Sequence, residues 1–139
     1  MKIVARLAKM TRQQGSFDGR RLLHVMAFAS MTIVSAHADG DPAHGKIVFG
    51  RCAACHSITG ENRIGPPLNG VIGRAAGSVT GTRYSSAMSN AQTVWDEQNL
   101  DRFLTAPAGF LPGTTMTVSL PQARDRSDLI AYLKTLGPK

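Results

Sequence analysis

The sequence predicts a small all-α domain of three to five short helices. Two stretches carry the helical period, and none carries the strand period. Near the C terminus, Leu129, Ile130, Tyr132, Leu133 and Leu136 fall at i, i+1, i+3, i+4 and i+7, which places them on one apolar face. Upstream, Leu100, Phe103 and Leu104 share a face of a helix over 97–105. Asp96 is placed to cap that helix, and Pro107 forbids its continuation. No run of alternating apolar residues is long enough to mark a strand.

The other elements follow in chain order. The chain has 139 residues with 16 Lys and Arg, 9 Asp and Glu, a formal charge of +7 and a pI near 10.1. A bulk charge of that size suggests a nucleic-acid or membrane-surface binder, but its distribution argues against one. Lys2, Arg6, Lys9, Arg12, Arg20 and Arg21 precede position 39 and are opposed there only by Asp18. That leaves ten basic and eight acidic residues from Asp39 onward, a net +2. The length suits one domain, and no apolar run reaches the ~18 residues that a membrane-spanning helix needs.

The basic start, the mostly apolar stretch from Leu22 to Val34 and the small-residue site Ala36-His37-Ala38 read as a secretory leader over 1–38. Cleavage is expected after Ala38, so the domain is 39–139 and its compartment the periplasm. In the domain, Gly45 and Phe49 are four apart and share a face of a first helix, where a glycine permits close approach of a crossing helix. The last helix carries Lys134 in its final turn, with Gly137 and Pro138 as stop signals.

One motif carries the chemistry. Cys52-Ala53-Ala54-Cys55-His56 is C-x-x-C-H, the attachment signal of c-type haem. Each thiol can add to one vinyl group, and the adjacent His56 can then bind the iron. A thioredoxin-like redox pair shares the cysteine spacing, but no βαβ pattern surrounds it. A zinc site lacks a second ligand pair, since His24 and His37 leave with the leader and no further cysteines exist. A disulfide across so short a loop is sterically poor and leaves His56 without a role. A second axial ligand must come from Met88 or Met116, the two methionines of the domain. Met116 ends the turn-forming stretch Pro112-Gly113-Thr114-Thr115-Met116 and is the favoured ligand. Met88 reads as a gap-filler of the core.

With these residues placed, the chain resembles the class I cytochromes c, near the mitochondrial cytochrome c and bacterial cytochrome c2 group. The likeness spans 44–137. It rests on Gly45 to Phe49, the haem motif, Gly65-Pro66-Pro67-Leu68-Asn69-Gly70 with Gly73-Arg74, Tyr84 and Trp95 eleven apart, Pro112 to Met116, and Asp128 to Leu133. The resemblance implies the class I cytochrome c fold, with crossing terminal helices and short helices wrapped around one haem c bound through Cys52 and Cys55. It implies His56 and Met116 as iron ligands and the Pro66 carbonyl as acceptor of the His56 Nδ1 proton. Tyr84 and Trp95 become donors to a haem propionate, and Arg74 the cation that offsets its charge. Three departures stand out. Phe103 replaces a tyrosine beside the Met ligand, Met88 replaces a frequent asparagine, and Ala108, Gly109 and Thr115 stand where mitochondrial proteins carry lysines.

The function these features imply is a non-enzymatic, monomeric carrier of single electrons between redox proteins. Candidate partners are a bc1-type complex, a terminal oxidase, a photosynthetic reaction centre or a periplasmic dehydrogenase, with no nucleic-acid role and no membrane span in the mature chain. The alternatives are a haem enzyme or gas-binding protein with an open sixth position, and a cytochrome subunit dedicated to one dehydrogenase.

Overall fold

Asp41 starts the first helix. Its backbone is extended, its carboxylate accepts from the Ala43 N–H at 2.8 Å, and Pro42 occupies the first helical position. This helix, α1, spans Pro42–Val48 and tightens into a 3₁₀ turn over Phe49–Arg51. The computed structural model describes residues 39–137. The expected leader 1–38, its cleavage after Ala38, and Pro138 and Lys139 lie outside the described residues. Four further helices follow: α2 (Ser86–Ser89), α3 (Glu97–Thr105), α4 (Pro107–Phe110) and α5 (Ala123–Thr135). Among the described residues the only β-pairing is a lone antiparallel bridge between Ala75 and Val94.

The terminal helices α1 and α5 cross at Gly45. A Cβ at position 45 would fall inside the Asp128 carbonyl and 2.8 Å from the Tyr132 Cβ, so only glycine permits this approach. Phe49 and Tyr132 meet beside the crossing with ring centroids 5.8 Å apart. Asp128 ties the two ends together. One carboxylate oxygen accepts from the Asp41 N–H at 2.7 Å, and the other lies 2.8 Å from His44 Nδ1. The Asp41 N–H is the main reason the Asp128 carboxyl lies below the usual carboxylate range. Desolvation opposes the shift, while His44 and Arg124 add to it.

The expected faces are realised. Leu100, Phe103 and Leu104 of α3 are buried, as are Leu129, Ile130, Tyr132 and Leu133 of α5. Asp96 caps α3 by accepting from the Asn99 N–H at 2.7 Å. Pro107 stops α3 as its ring chemistry requires, and it then serves as the first residue of α4. Buried Arg126 joins α5 to α3: its Nε donates to Asp101 at 2.7 Å, and its Nη1 donates to the Leu120 and Pro121 carbonyls at 3.0 and 2.9 Å. Helix α5 ends where the stop signals place it: Leu136 is the C-cap, with φ −94° and ψ 78°, and Gly137 follows as the first residue beyond the helix. The Leu136 N–H donates to the Leu133 carbonyl, and its own carbonyl accepts from the Gly70 N–H at 2.6 Å, which ties the helix end to the loop before α2.

Candidate haem site

The 3₁₀ turn runs directly into the cysteine motif. The Cys52 N–H donates to the Phe49 carbonyl at 2.8 Å, and the Cys55 and His56 N–H groups donate to the Cys52 carbonyl at 3.1 and 3.0 Å. Side chains three apart share one side of such a turn, so Cys52 and Cys55 face the same way. Both thiols are free. Burial pushes the Cys52 thiol up despite the neighbouring Arg51. That is the opposite of the depressed thiol of a redox-active pair.

His56 Nδ1 lies 2.7 Å from the Pro66 carbonyl oxygen. A carbonyl only accepts, so Nδ1 carries the proton and Nε2 keeps its lone pair for a metal. Gly65 packs flat against this ring. A Cβ there would lie 2.8 Å from Nδ1. Gly65 is held by its own N–H, which donates to the Cys55 carbonyl at 2.9 Å. The Met116 loop turns at Gly113, whose φ of 91° is left-handed. The Thr114 N–H donates to the Leu111 carbonyl at 3.1 Å, and the Thr114 hydroxyl accepts from the Met116 N–H at 3.3 Å.

These groups line one cavity of about 250 Å³. Cys52, Cys55, His56, Pro66, Arg74, Tyr84, Trp95 and Met116, the eight residues singled out in the sequence, all reach it. Apolar walls come from Leu68, Val71, Leu100, Phe103, Leu104, Leu129 and Leu133. Met88 fills a gap in the core as expected, and it lines the cavity as well. The sequence reading missed Arg51, Ile64 and Arg83 at this cavity, because isolated exposed side chains carry no periodic signal.

The polar groups of the cavity are poised for a ligand that brings its own carboxylates. Arg74 is half-buried and donates only to neutral carbonyls, Pro67 at 2.8 Å and Asn69 at 3.2 Å, and burial pulls its pKa down. The Tyr84 hydroxyl accepts from the Val79 N–H at 3.3 Å, which leaves its own proton to give. Trp95 is buried, and its indole, whose N–H can only donate, lines the same cavity. An imidazole lone pair, a thioether, two correctly spaced thiols and three donors therefore surround an apolar slot. These are the requirements of haem c.

Fold and site together define a monohaem c-type cytochrome domain. The comparisons with known proteins agree. The family model described as Cytochrome c matches residues 42–137. The chain is 45% identical over 104 residues to cytochrome c2 of Rhodomicrobium vannielii, an alignment covering 73% of this chain and 83% of that protein. It is 46% identical over 110 residues to cytochrome c-type cyt cy of Rhodobacter capsulatus, covering 78% of this chain and 55% of the relative's length. Among solved structures, cytochrome cH from Methylobacterium extorquens superposes with a TM-score of 0.66 at 38% identity, over 69% of this chain and 99% of that one. The chain belongs to the cytochrome c family. It is a monohaem electron-transfer cytochrome that carries one haem c through thioethers at Cys52 and Cys55.

Proposed function

We propose that the chain is an exported, periplasmic carrier in which His56 and Met116 are the two axial ligands, and that it shuttles single electrons between redox proteins without catalysing a reaction of its own. The observation that carries this reading is the pairing of the two ligand chemistries on one cavity. His56 has Nδ1 committed to Pro66 and Nε2 free, and Met116 enters the same cavity from a turn stabilised by Gly113 and Thr114.

Haem iron supplies a one-electron ferric–ferrous couple, and the soft thioether favours its ferrous form. The chain's own residues do the rest. The Pro66 carbonyl holds the Nδ1 proton and keeps the imidazole electron-rich. Leu100, Phe103, Leu104, Leu129 and Leu133 exclude water, so little solvent reorganises when charge changes. Trp95, Tyr84 and Arg74 supply donors and a positive charge for the haem propionates. With both axial positions filled by side chains, small ligands have no open site.

In this reading residues 1–38 are the export leader and 39–139 the mature carrier. The redox partners are of the class represented by a bc1-type complex, an oxidase, a reaction centre or a dehydrogenase. Met116→Ala tests ligation. The variant is expected to keep covalent haem and to bind carbon monoxide when reduced, whereas the parent protein does not. Rapid carbon monoxide binding by the parent protein overturns the reading.

A further inference from the structure

The cavity read as the haem site is lined by three arginines, Arg51, Arg74 and Arg83, and among the described residues by no aspartate or glutamate. A ligand that brings carboxylates therefore meets cations only. Haem has its vinyl groups on one edge of the macrocycle and its propionates on the opposite edge, so attachment at Cys52 and Cys55 decides which edge is which. Arg51 stands with the vinyl edge. It directly precedes Cys52, and its Nη2 donates to the Ser119 carbonyl at 3.4 Å. Arg74 stands with Tyr84, whose hydroxyl bears electrostatically on its guanidinium. Its two Nη atoms donate to the Asn69 and Pro67 carbonyls at 3.2 and 2.8 Å.

Arg83 directly precedes Tyr84, and its backbone is held on both sides. The Thr82 N–H donates to the Val79 carbonyl at 3.4 Å, and the Tyr84 hydroxyl accepts from the Val79 N–H at 3.3 Å. Ser85, which also lines the cavity, caps α2 by accepting from the Met88 N–H at 3.2 Å. Both hydroxyls keep their own protons to give. Arg83 is exposed and Arg74 half-buried, so the two guanidinium groups address the Tyr84 end of the cavity from solvent and from the protein interior. A guanidinium fork matches a carboxylate in geometry as well as in charge.

We propose that Arg83 is a second cation for the haem propionates: it binds a carboxylate from the solvent side, while Arg74 offsets charge from within. The inference rests on the reading of this cavity as the haem site. Propionate charges near the iron favour the ferric form, which carries one more positive charge. A guanidinium bound to one of them cancels part of that field, so Arg83 favours ferrous iron and raises the potential. The pair adds little to folding stability, because the guanidinium stays in water. Its effect falls on the redox equilibrium and on the proton affinity of one propionate. Arg74, Tyr84, Ser85 and Trp95 are the other polar groups that line this part of the cavity.

The test uses holoprotein without a redox partner and compares Arg83→Gln with Arg102→Gln. Arg102 is the control, because it is also exposed but lies over the Phe110 ring, 5.0 Å from its centroid, and does not line the cavity. The ferric–ferrous equilibrium is read against a mediator, and isotope-labelled propionate carboxyl signals are followed by NMR through a pH titration. Arg83→Gln is expected to shift the equilibrium about two- to threefold toward the ferric form at low salt, and to move the titration of one propionate to higher pH. Part of both effects persists at about 1 M salt, where the screening length is ~3 Å and only charges in contact still interact. Arg102→Gln leaves the propionate titration at its parental position, and any change it makes in the equilibrium vanishes at that salt. Arg83→Lys keeps the charge without the fork and falls between the parent and Arg83→Gln. A parental propionate titration in Arg83→Gln overturns the proposal, as does an equilibrium shift that salt abolishes as it does for Arg102→Gln. If Arg83→Gln does not accumulate, Arg83→Met decides by the same two readings. A parent protein that carries no haem overturns the reading of the cavity and the proposal with it, whereas parental values in a haem-bearing Arg83→Gln overturn the proposal alone.

Discussion

His56 Nδ1 and the Pro66 carbonyl oxygen are 2.7 Å apart, and Gly65 between them in sequence lies flat on the imidazole. One hydrogen bond thus sets the tautomer, the ring orientation and the electron density of the nitrogen proposed to bind iron. The bond depends on the absence of a side chain at position 65.

Gly65→Ala places a methyl group against that ring. The variant is expected to lose about 1–3 kcal/mol of stability in denaturant unfolding of the holoprotein. It should also show a higher reduction potential, since an imidazole with a weakened Nδ1 bond donates less and disfavours the ferric state. A parental potential in a folded Gly65→Ala variant contradicts the role given to the Pro66 carbonyl.

Attachment depends on the two thiols of the turn that follows the 3₁₀ segment. Cys52→Ser combined with Cys55→Ser is expected to leave no haem on the polypeptide after denaturing electrophoresis, as read by haem staining. Retained covalent haem in that variant contradicts the assignment.

Asp128 joins α1 to α5 through the Asp41 N–H and His44. Its carboxyl titrates below the ordinary value in the folded protein. A depressed folded-state pKa contributes stability that is fully present above the unfolded value, about 3.9, and is lost as pH falls through the folded value. Asp128→Asn should therefore be less stable than the parent near neutral pH, and the gap should narrow as pH falls below about 4. Urea midpoints measured across that range check it. A gap that widens on acidification has the wrong sign.

Many ferric cytochromes of the mitochondrial type exchange methionine for a lysine amine at high pH. No lysine occurs between Lys46 and Lys134 in this chain. Lys134 is tied to Glu97 at 2.7 Å, which holds its ammonium above the usual lysine range. Arginine offers no free lone pair. Alkaline titration of the ferric protein is expected to give hydroxide ligation or persistent Met116 ligation, with no amine-ligated species by paramagnetic resonance. A bis-nitrogen spectrum at mildly alkaline pH contradicts this.

Much of the architecture was legible because it rests on short-range chemistry. Asp96 and Pro107 bracket α3 at the residues the structure shows, and the apolar stripe from Leu129 to Leu133 is the buried face of α5. Cys52, Cys55, His56 and Met116 could be named because attachment and ligation demand those side chains, whereas Pro66, Arg74, Tyr84 and Trp95 were named through the family resemblance. What escaped the sequence is long-range and polar. Nothing in the sequence marks Asp128 and Arg126 of α5 as buried. Yet the first is sequestered by a backbone N–H 87 positions away and the second by two carbonyls and Asp101. Asn62 lies in an aperiodic loop, and its partners at 80 and 82 come within reach only through the fold. The Gly70–Leu136 bond that ties the end of α5 to the loop before α2 is likewise invisible in the sequence.

The central claim is that Met116 closes the sixth position of the iron. Proton NMR of the reduced, diamagnetic holoprotein with labelled methionine methyl groups tests it most directly, because a methyl bound over the macrocycle is displaced far upfield by the ring current. The account predicts one strongly upfield methionine methyl signal that disappears in Met116→Leu and persists in Met88→Leu. An upfield signal that survives Met116→Leu, or the absence of any such signal in the parent protein, contradicts it.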